Sequence, residues 1–199
     1  MRSALKKMAF WLATLAVLPS LASYWLRAAA MGRDRALEGS TQALALVPGL
    51  VGRYARRAFL ARALAACHPT ATVEFGTLFS SSRARLDENV YVGPRCHLGF
   101  VHLERDVLVG AGVHIPSGSD THGVEDVGRP IREQVREKQE VRIGHGTWIG
   151  SAAVVMSDVG HDSVVGAGSV VTRPVPPLVV AAGVPARVIR QRSAEYTGP

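Results

Sequence analysis

Cysteine is scarce in this 199-residue chain: Cys67 and Cys96 are the only two. Two thiols cannot staple a domain of this size, and with no CxxC pair or Cys/His cluster nothing suggests structural zinc. Reduced, structural thiols are expected. Charge is also sparse, at 20% of residues against 47% hydrophobic, which excludes a disordered chain and a coiled coil. There is one long apolar run, too few for a bundle of transmembrane helices. The length accommodates one well-buried domain and an appendage.

The net charge of +7 is unevenly spread. Residues 1–62 hold ten Lys and Arg against Asp34 and Glu38, a net of +8, while the other 137 residues hold thirteen against fourteen, a net of −1. The basic character is therefore N-terminal, and no nucleic-acid partner is expected. Met8 to Leu26 is a run of 19 uncharged, mostly apolar residues preceded by Arg2, Lys6 and Lys7. As a helix it would roughly cross the ~30 Å hydrocarbon core. The same stretch also reads as a signal peptide cut near Ala22. Leu50 to Ala66 carries Arg53, Arg56, Arg57 and Arg62 among apolar residues, which predicts a basic helix lying on anionic lipid or packed on its own domain. Residues 1–66 thus form an expected membrane-associated helical segment, with the remainder on the cytoplasmic side by the positive-inside rule.

From about residue 67 the pattern changes. Aliphatic residues recur at Leu86, Val92, Leu98, Leu103, Val109 and Ile115, and again at Ile143, Ile149, Val155, Val159, Val165 and Val171. A step of six scatters side chains around a helix but keeps one face of a strand. Glycine follows the aliphatic residue at Gly93, Gly99, Gly110, Gly144, Gly150, Gly160 and Gly166, which reads as a bend after each short strand. Three strand-plus-turn units per coil make a triangular prism, a parallel β-helix of about four coils. It is expected over 67–173, with a C-terminal cap over 174–199. The repeat stops between Ser117 and Glu140, whose 24 residues include ten charged ones and His122. This segment must leave the prism, and long loops on rigid scaffolds tend to carry function.

The segments IGHGTWIGSAAVV, VVGAGSVVTRPVPP and AAGVPARVIR, between Ile143 and Arg190, resemble the hexapeptide-repeat acyltransferases that include galactoside and maltose acetyltransferases. The basic apolar N-terminus, the SGSDTHG loop and PIREQ are most similar to bacterial exopolysaccharide and capsule O-acetyltransferases. The resemblance implies an all-β, left-handed parallel β-helix, a homotrimer with sites between neighbouring prisms, acetyl-CoA as co-substrate and no metal. It implies a sugar or lipid-linked glycan acceptor and a place on the cytoplasmic face of a bacterial inner membrane.

By the same resemblance, His122 is the catalytic base and the Ser151 amide the oxyanion donor. Imidazole suits the first role because a sugar hydroxyl needs a base with a pKa near neutrality. Trp148 and Gly150 line the groove, or Trp148 is a surface aromatic on a prism corner. Gly166, Ala167 and Gly168 let the pantetheine arm approach the backbone, and Thr172, Arg173, Arg187 and Arg190 lie near the nucleotide. The arginines equally suit a solvated C-terminal face. Two further readings follow from the residues: a catalytically idle scaffold of a membrane-bound synthesis complex, and a γ-type carbonic anhydrase holding zinc on His97, His102 and His114.

Overall fold

The computed structural model describes residues 10–192. Helices α1 (Phe10–Ala16), α2 (Leu18–Met31), α3 (Arg33–Ala45) and α4 (Gly49–Ala63) precede a parallel β-solenoid of about six turns. Its first face stacks Ala66–Cys67, Arg85–Leu86, Val101–Leu103 and Val141–Ile143. The second stacks Thr72–Val73, Tyr91–Val92, Leu108–Val109, Trp148–Ile149, Val164–Val165 and Val179–Gly183, then the antiparallel return Ala186–Gln191. The third stacks Leu78–Phe79, His97–Leu98, His114–Ile115, Val154–Val155 and Val170–Val171.

All twelve in-phase aliphatics are buried in one continuous core. No two-residue strand can bury a face alone, so each rung is stable only through the rungs above and below it. The expectation of about four coils falls short at both ends. Cys67, Val73 and Phe79 stand one rung before Leu86, Val92 and Leu98, while Val175 and Ala181 continue the stack beyond Val159 and Val165.

The bends lie elsewhere than the glycine pattern suggests. At the first corner the residue three after the inward aliphatic has positive φ in each of Asn89, Asp106, Gly146, Asp162 and Leu178, and the second corner repeats this at Gly76, Arg95, Gly112, Ala152 and Gly168. The seven in-phase glycines serve stacking instead: a Cβ at Gly144 would sit 2.4 Å from the His161 nitrogen, and one at Gly160 2.3 Å from that of Pro177. Steps shorter than six fall at the third corner, where the only positive φ among the described residues is that of Gly118, at the start of the excursion.

The helices close the N-terminal end of the prism. α4 packs on the first strands of the first and second faces, α3 on the first strand of the third, and α2 on α3 and α4. Arg56, at 3% exposure, donates to the carbonyls of Val73 (3.0 Å), Leu44 (3.1 Å) and Val47 (2.7 Å), tying the helices to the first coil. Arg53 pairs with Glu74 at 2.7 Å. The arginines of 50–66 are thus partly committed to the protein's own fold, and Arg56 does not face outward toward lipid.

The apolar run does not make one straight rod. Its described part is broken into α1 and α2, bent by 52°, and among the described residues no single helix is long and apolar enough to cross a membrane. Pro19 supplies the break, since it cannot donate to the Leu15 carbonyl and its ring crowds that turn. Met8, Arg2, Lys6 and Lys7 lie outside the described residues. Burial pushes the Cys67 thiol up to about 12 and raises that of Cys96 as well, so both are poor nucleophiles.

Candidate active site

Phase in the repeat places each candidate side chain on the prism. On the second face the residue before each inward aliphatic points outward, and parallel pairing aligns Tyr91, Leu108, Trp148, Val164 and Val180 in one row. The antiparallel return sets Arg190 opposite Val180 and Arg187 opposite Ala182. With strands about 4.8 Å apart, Trp148 and Arg190 are separated by roughly 14 Å. Trp148, 50% exposed, lies in a strand within this row and not at a prism corner. The row is apolar along its length and cationic at its end, which suits an elongated ligand with an apolar arm and an anionic terminus.

Gly150 and Ser151 turn the second corner directly after Trp148 and Ile149. The Gly168 N–H donates to the Ser151 carbonyl at 2.9 Å and the Gly150 N–H to that of Val165 at 2.7 Å, which stacks Gly166, Ala167 and Gly168 one coil beyond. The Ser151 N–H donates to no acceptor among the described residues. The corner's missing side chains have a structural cause. A Cβ at Gly166 would meet that of Ala182 at 2.7 Å, and Gly168 has φ +67°, so coil stacking and turning already demand both glycines. Thr172 and Arg173 are exposed where the chain leaves the third face.

His122 stands on the excursion. Ser117 closes its neck, since its hydroxyl accepts from the Phe100 N–H at 2.9 Å and its carbonyl from the Gln139 N–H at 3.0 Å. Further out, His122 pairs antiparallel with Val135, and the Arg136 N–H donates to the Thr121 carbonyl at 3.1 Å. The Arg136 guanidinium grips both Asp120 and Glu125. The His122 imidazole is exposed and forms no hydrogen bond among the described residues, and within one chain none joins it to Trp148 or Ser151.

Of the remaining histidines His68 bonds Thr70 at 2.8 Å, and the other five bear on a metal site. His97 and His114 are neighbours in the outer row of the third face, with Nδ1 and Nε2 3.2 Å apart, while His102 lies on the first face bonded to Asp87 at 2.9 Å. Split between two faces, the three do not share an ion. Burial, then the neighbouring His114, holds His97 below the ordinary histidine range. His145, His161 and Asp162 gather at the first corner, but the two rings are stacked 4.8 Å apart and within 2° of parallel. Imidazole lone pairs lie in the ring plane, so one ion cannot serve both rings as they stand.

One feature of the site was not anticipated from sequence, the Tyr91 and Leu108 members of the outer row, and the His97–His114 pair, which the sequence grouped with His102, forms without it. The signal was available, because each of these residues directly precedes an inward aliphatic.

A prism of six-residue units, interrupted once by a histidine-bearing excursion and carrying a long apolar row on one face, defines a class of acyl-transfer scaffold. No family model matches the chain. It is 32% identical over 145 residues to the galactoside O-acetyltransferase of Escherichia coli K12, covering 62% of this chain and 71% of that protein. It is 30% identical over 127 residues to a putative lipopolysaccharide biosynthesis O-acetyl transferase of the same organism, covering 60% and 63%. A solved galactoside acetyltransferase in complex with coenzyme A superposes with a TM-score of 0.61 over 80% of this chain and 81% of that one, at 25% identity. The chain belongs to the hexapeptide-repeat O-acetyltransferases, whose acyl donor is acetyl-CoA.

Proposed function

We propose that this protein acetylates a sugar hydroxyl in a polysaccharide precursor, as part of exopolysaccharide, capsule or O-antigen synthesis. The observation that carries this reading is the exposed, unbonded imidazole of His122, held outward on an ordered arm while the Trp148 row and Ser151 corner lie on the prism. An arm of this kind reaches a site completed by a neighbouring copy, and we therefore read the working unit as a homotrimer with its sites between prisms. Support for a glycan acceptor comes from the relatives, whose names specify a galactoside and a lipopolysaccharide.

In this account His122 takes the proton from the acceptor hydroxyl as its oxygen attacks the thioester carbonyl. The carbonyl oxygen gains negative charge, which the free Ser151 N–H stabilises without having to reorganise. Collapse of the tetrahedral intermediate breaks the C–S bond, and the imidazolium returns its proton to the departing thiolate of coenzyme A. The pantetheine arm lies along the row from Trp148, past Gly150 and the Gly166–Ala167–Gly168 corner. Thr172, Arg173, Arg187 and Arg190 receive the nucleotide end, where guanidinium groups suit phosphate.

We further place the protein on the cytoplasmic face of a bacterial inner membrane, held there through residues 1–66. The +8 balance of residues 1–62 and the apolar run support this, and a lipid-linked acceptor would be met at the same surface. Acetyl-CoA turnover by the purified protein against a panel of nucleotide sugars and lipid-linked glycans tests the proposal. Acceptor-dependent release of coenzyme A with a glycan is expected, and its absence with every glycan tried would contradict it.

A further inference from the structure

We infer that the outward face of α1 and α2 is a lipid-docking surface that lies in the headgroup region of an anionic bilayer, with both helices in the membrane plane. This deepens the membrane placement proposed above and rests on it.

Trp11, Leu15, Leu18, Ala22 and Trp25 recur at helical spacing along one side of the two helices, flanked by Leu12 and Leu26. Trp11 (65%), Leu12 (59%), Leu15 (60%) and Leu26 (74%) are among the most exposed large apolar side chains of the described residues. The opposite side is already occupied: Thr14, Val17, Leu21 and Tyr24 are buried, and the Tyr24 hydroxyl donates to the Ala63 carbonyl at 3.3 Å. A helix crossing the bilayer would have to pull that inner side out of the core. One lying in the interface would bury only what is now exposed, to a depth of about 5–10 Å.

Position and charge fit the same occupant. α2 rests on α3 and α4, which in turn rest on the first coil, so this face belongs to the layer farthest from the prism. A cation stands at its edge: the exposed Arg33 guanidinium lies 5.4 Å from the ring of Trp25. Arg2, Lys6 and Lys7 immediately precede α1 in sequence. Tryptophan beside arginine on an apolar stripe is the composition that partitions to an anionic interface. Pairing two copies through this face would instead bring two Arg33 edges and two basic N-terminal segments together, which like charge disfavours.

Sedimentation of the full chain with vesicles tests the inference, using phosphatidylcholine containing about one third phosphatidylglycerol against phosphatidylcholine alone. The chain should pellet with the anionic vesicles and several-fold less with the neutral ones. In the Leu15→Glu/Leu26→Glu double variant the partition coefficient should fall at least about tenfold, with circular dichroism and thioester turnover on a soluble acceptor unchanged. In the unaltered chain, lipids brominated near the headgroup end of their tails should quench tryptophan emission more than lipids brominated near the tail ends. Undiminished binding by the double variant would overturn the assignment of this face and leave the membrane placement standing on the basic N-terminus. Failure of the unaltered chain to bind either vesicle would overturn both. If the double variant instead dissociated a lipid-free assembly, the face would belong to a second copy of the chain.

Discussion

The Asp34 carboxylate and the Lys138 ammonium lie 3.2 Å apart across 104 residues of sequence. One belongs to the helical cap and the other to the excursion that carries His122, so the arm is moored to the N-terminal layer as well as to the prism. Asp34 also accepts from both the backbone N–H and the hydroxyl of Ser82, each at 2.8 Å. Burial opposes ionisation of this carboxylate, but the two Ser82 bonds and Lys138 together hold it below its ordinary value.

A carboxylate depressed in the folded state stabilises the fold above its unfolded pKa of about 3.9, and that contribution fades as pH falls through the lower folded value. Asp34→Asn should therefore flatten the loss of stability below about pH 4, read from urea midpoints at successive pH values. An unchanged acid limb would show that the mooring carries no linkage. Lys138→Ala, which cuts an exposed pair, should cost at most about 1 kcal/mol. If the mooring positions the arm, it should also lower kcat a few-fold.

Arg56→Met should destabilise the protein by about 2 kcal/mol or more in denaturant unfolding. The buried Val73 carbonyl and the half-buried Val47 carbonyl lose their charged donor, while that of Leu44 keeps the Val47 N–H, and each unsatisfied group costs about 1–3 kcal/mol. A change near zero would mean that the helical cap is not tied to the first coil in solution.

Gly144→Ala and Gly112→Ala separate the two uses of glycine in the coil. At Gly144 a Cβ meets backbone 2.4 Å away, whereas at Gly112 nothing lies within 4 Å but φ is +67°. Thermal unfolding should show a cost of about 1–2 kcal/mol for Gly112→Ala, from left-handed strain alone, and a clearly larger one for Gly144→Ala, where neighbouring coils must separate. Equal costs would contradict the stacking role.

Arg190→Ala and Arg173→Ala should each raise KM for acetyl-CoA by about tenfold with kcat little changed, since a phosphate contact remote from the thioester binds ground and transition states alike. Initial rates over a range of acetyl-CoA concentrations give the split. A fall in kcat at constant KM would move these residues away from the nucleotide.

The coil was legible because its period of six aligns with the strand period of two, so Leu86 to Val171 announced an inward row without help from tertiary structure. Cys67, Val73 and Phe79 lay within the span expected for the prism, 67–173, but were not legible as an in-phase row, because a thiol and an aromatic break the aliphatic code and no in-phase glycine follows them. The glycines after the aliphatics were visible, but their cause was not: a clash with the next coil depends on residues such as His161 for Gly144 and Pro177 for Gly160, a whole coil away in sequence. The apolar run before Leu26 illustrates the same limit. Hydropathy marked it as a membrane segment, yet Val17, Leu21 and Tyr24 bury one side against helices whose sequence alone does not place them there. His122 could be picked out as the excursion's lone histidine, whereas the Tyr91–Leu108–Trp148 row emerges only once rungs are stacked in register.

The central claim is that His122 supplies the base for acetyl transfer, and its most direct test is the rate of coenzyme A release by His122→Ala with a competent glycan acceptor. Its side chain is exposed, so the variant should fold as the parent does. Turnover should fall by about 10²-fold or more, the usual share of a general base, with KM for acetyl-CoA little altered. Turnover equal to that of the parent would contradict the account and leave the solenoid without its proposed chemistry.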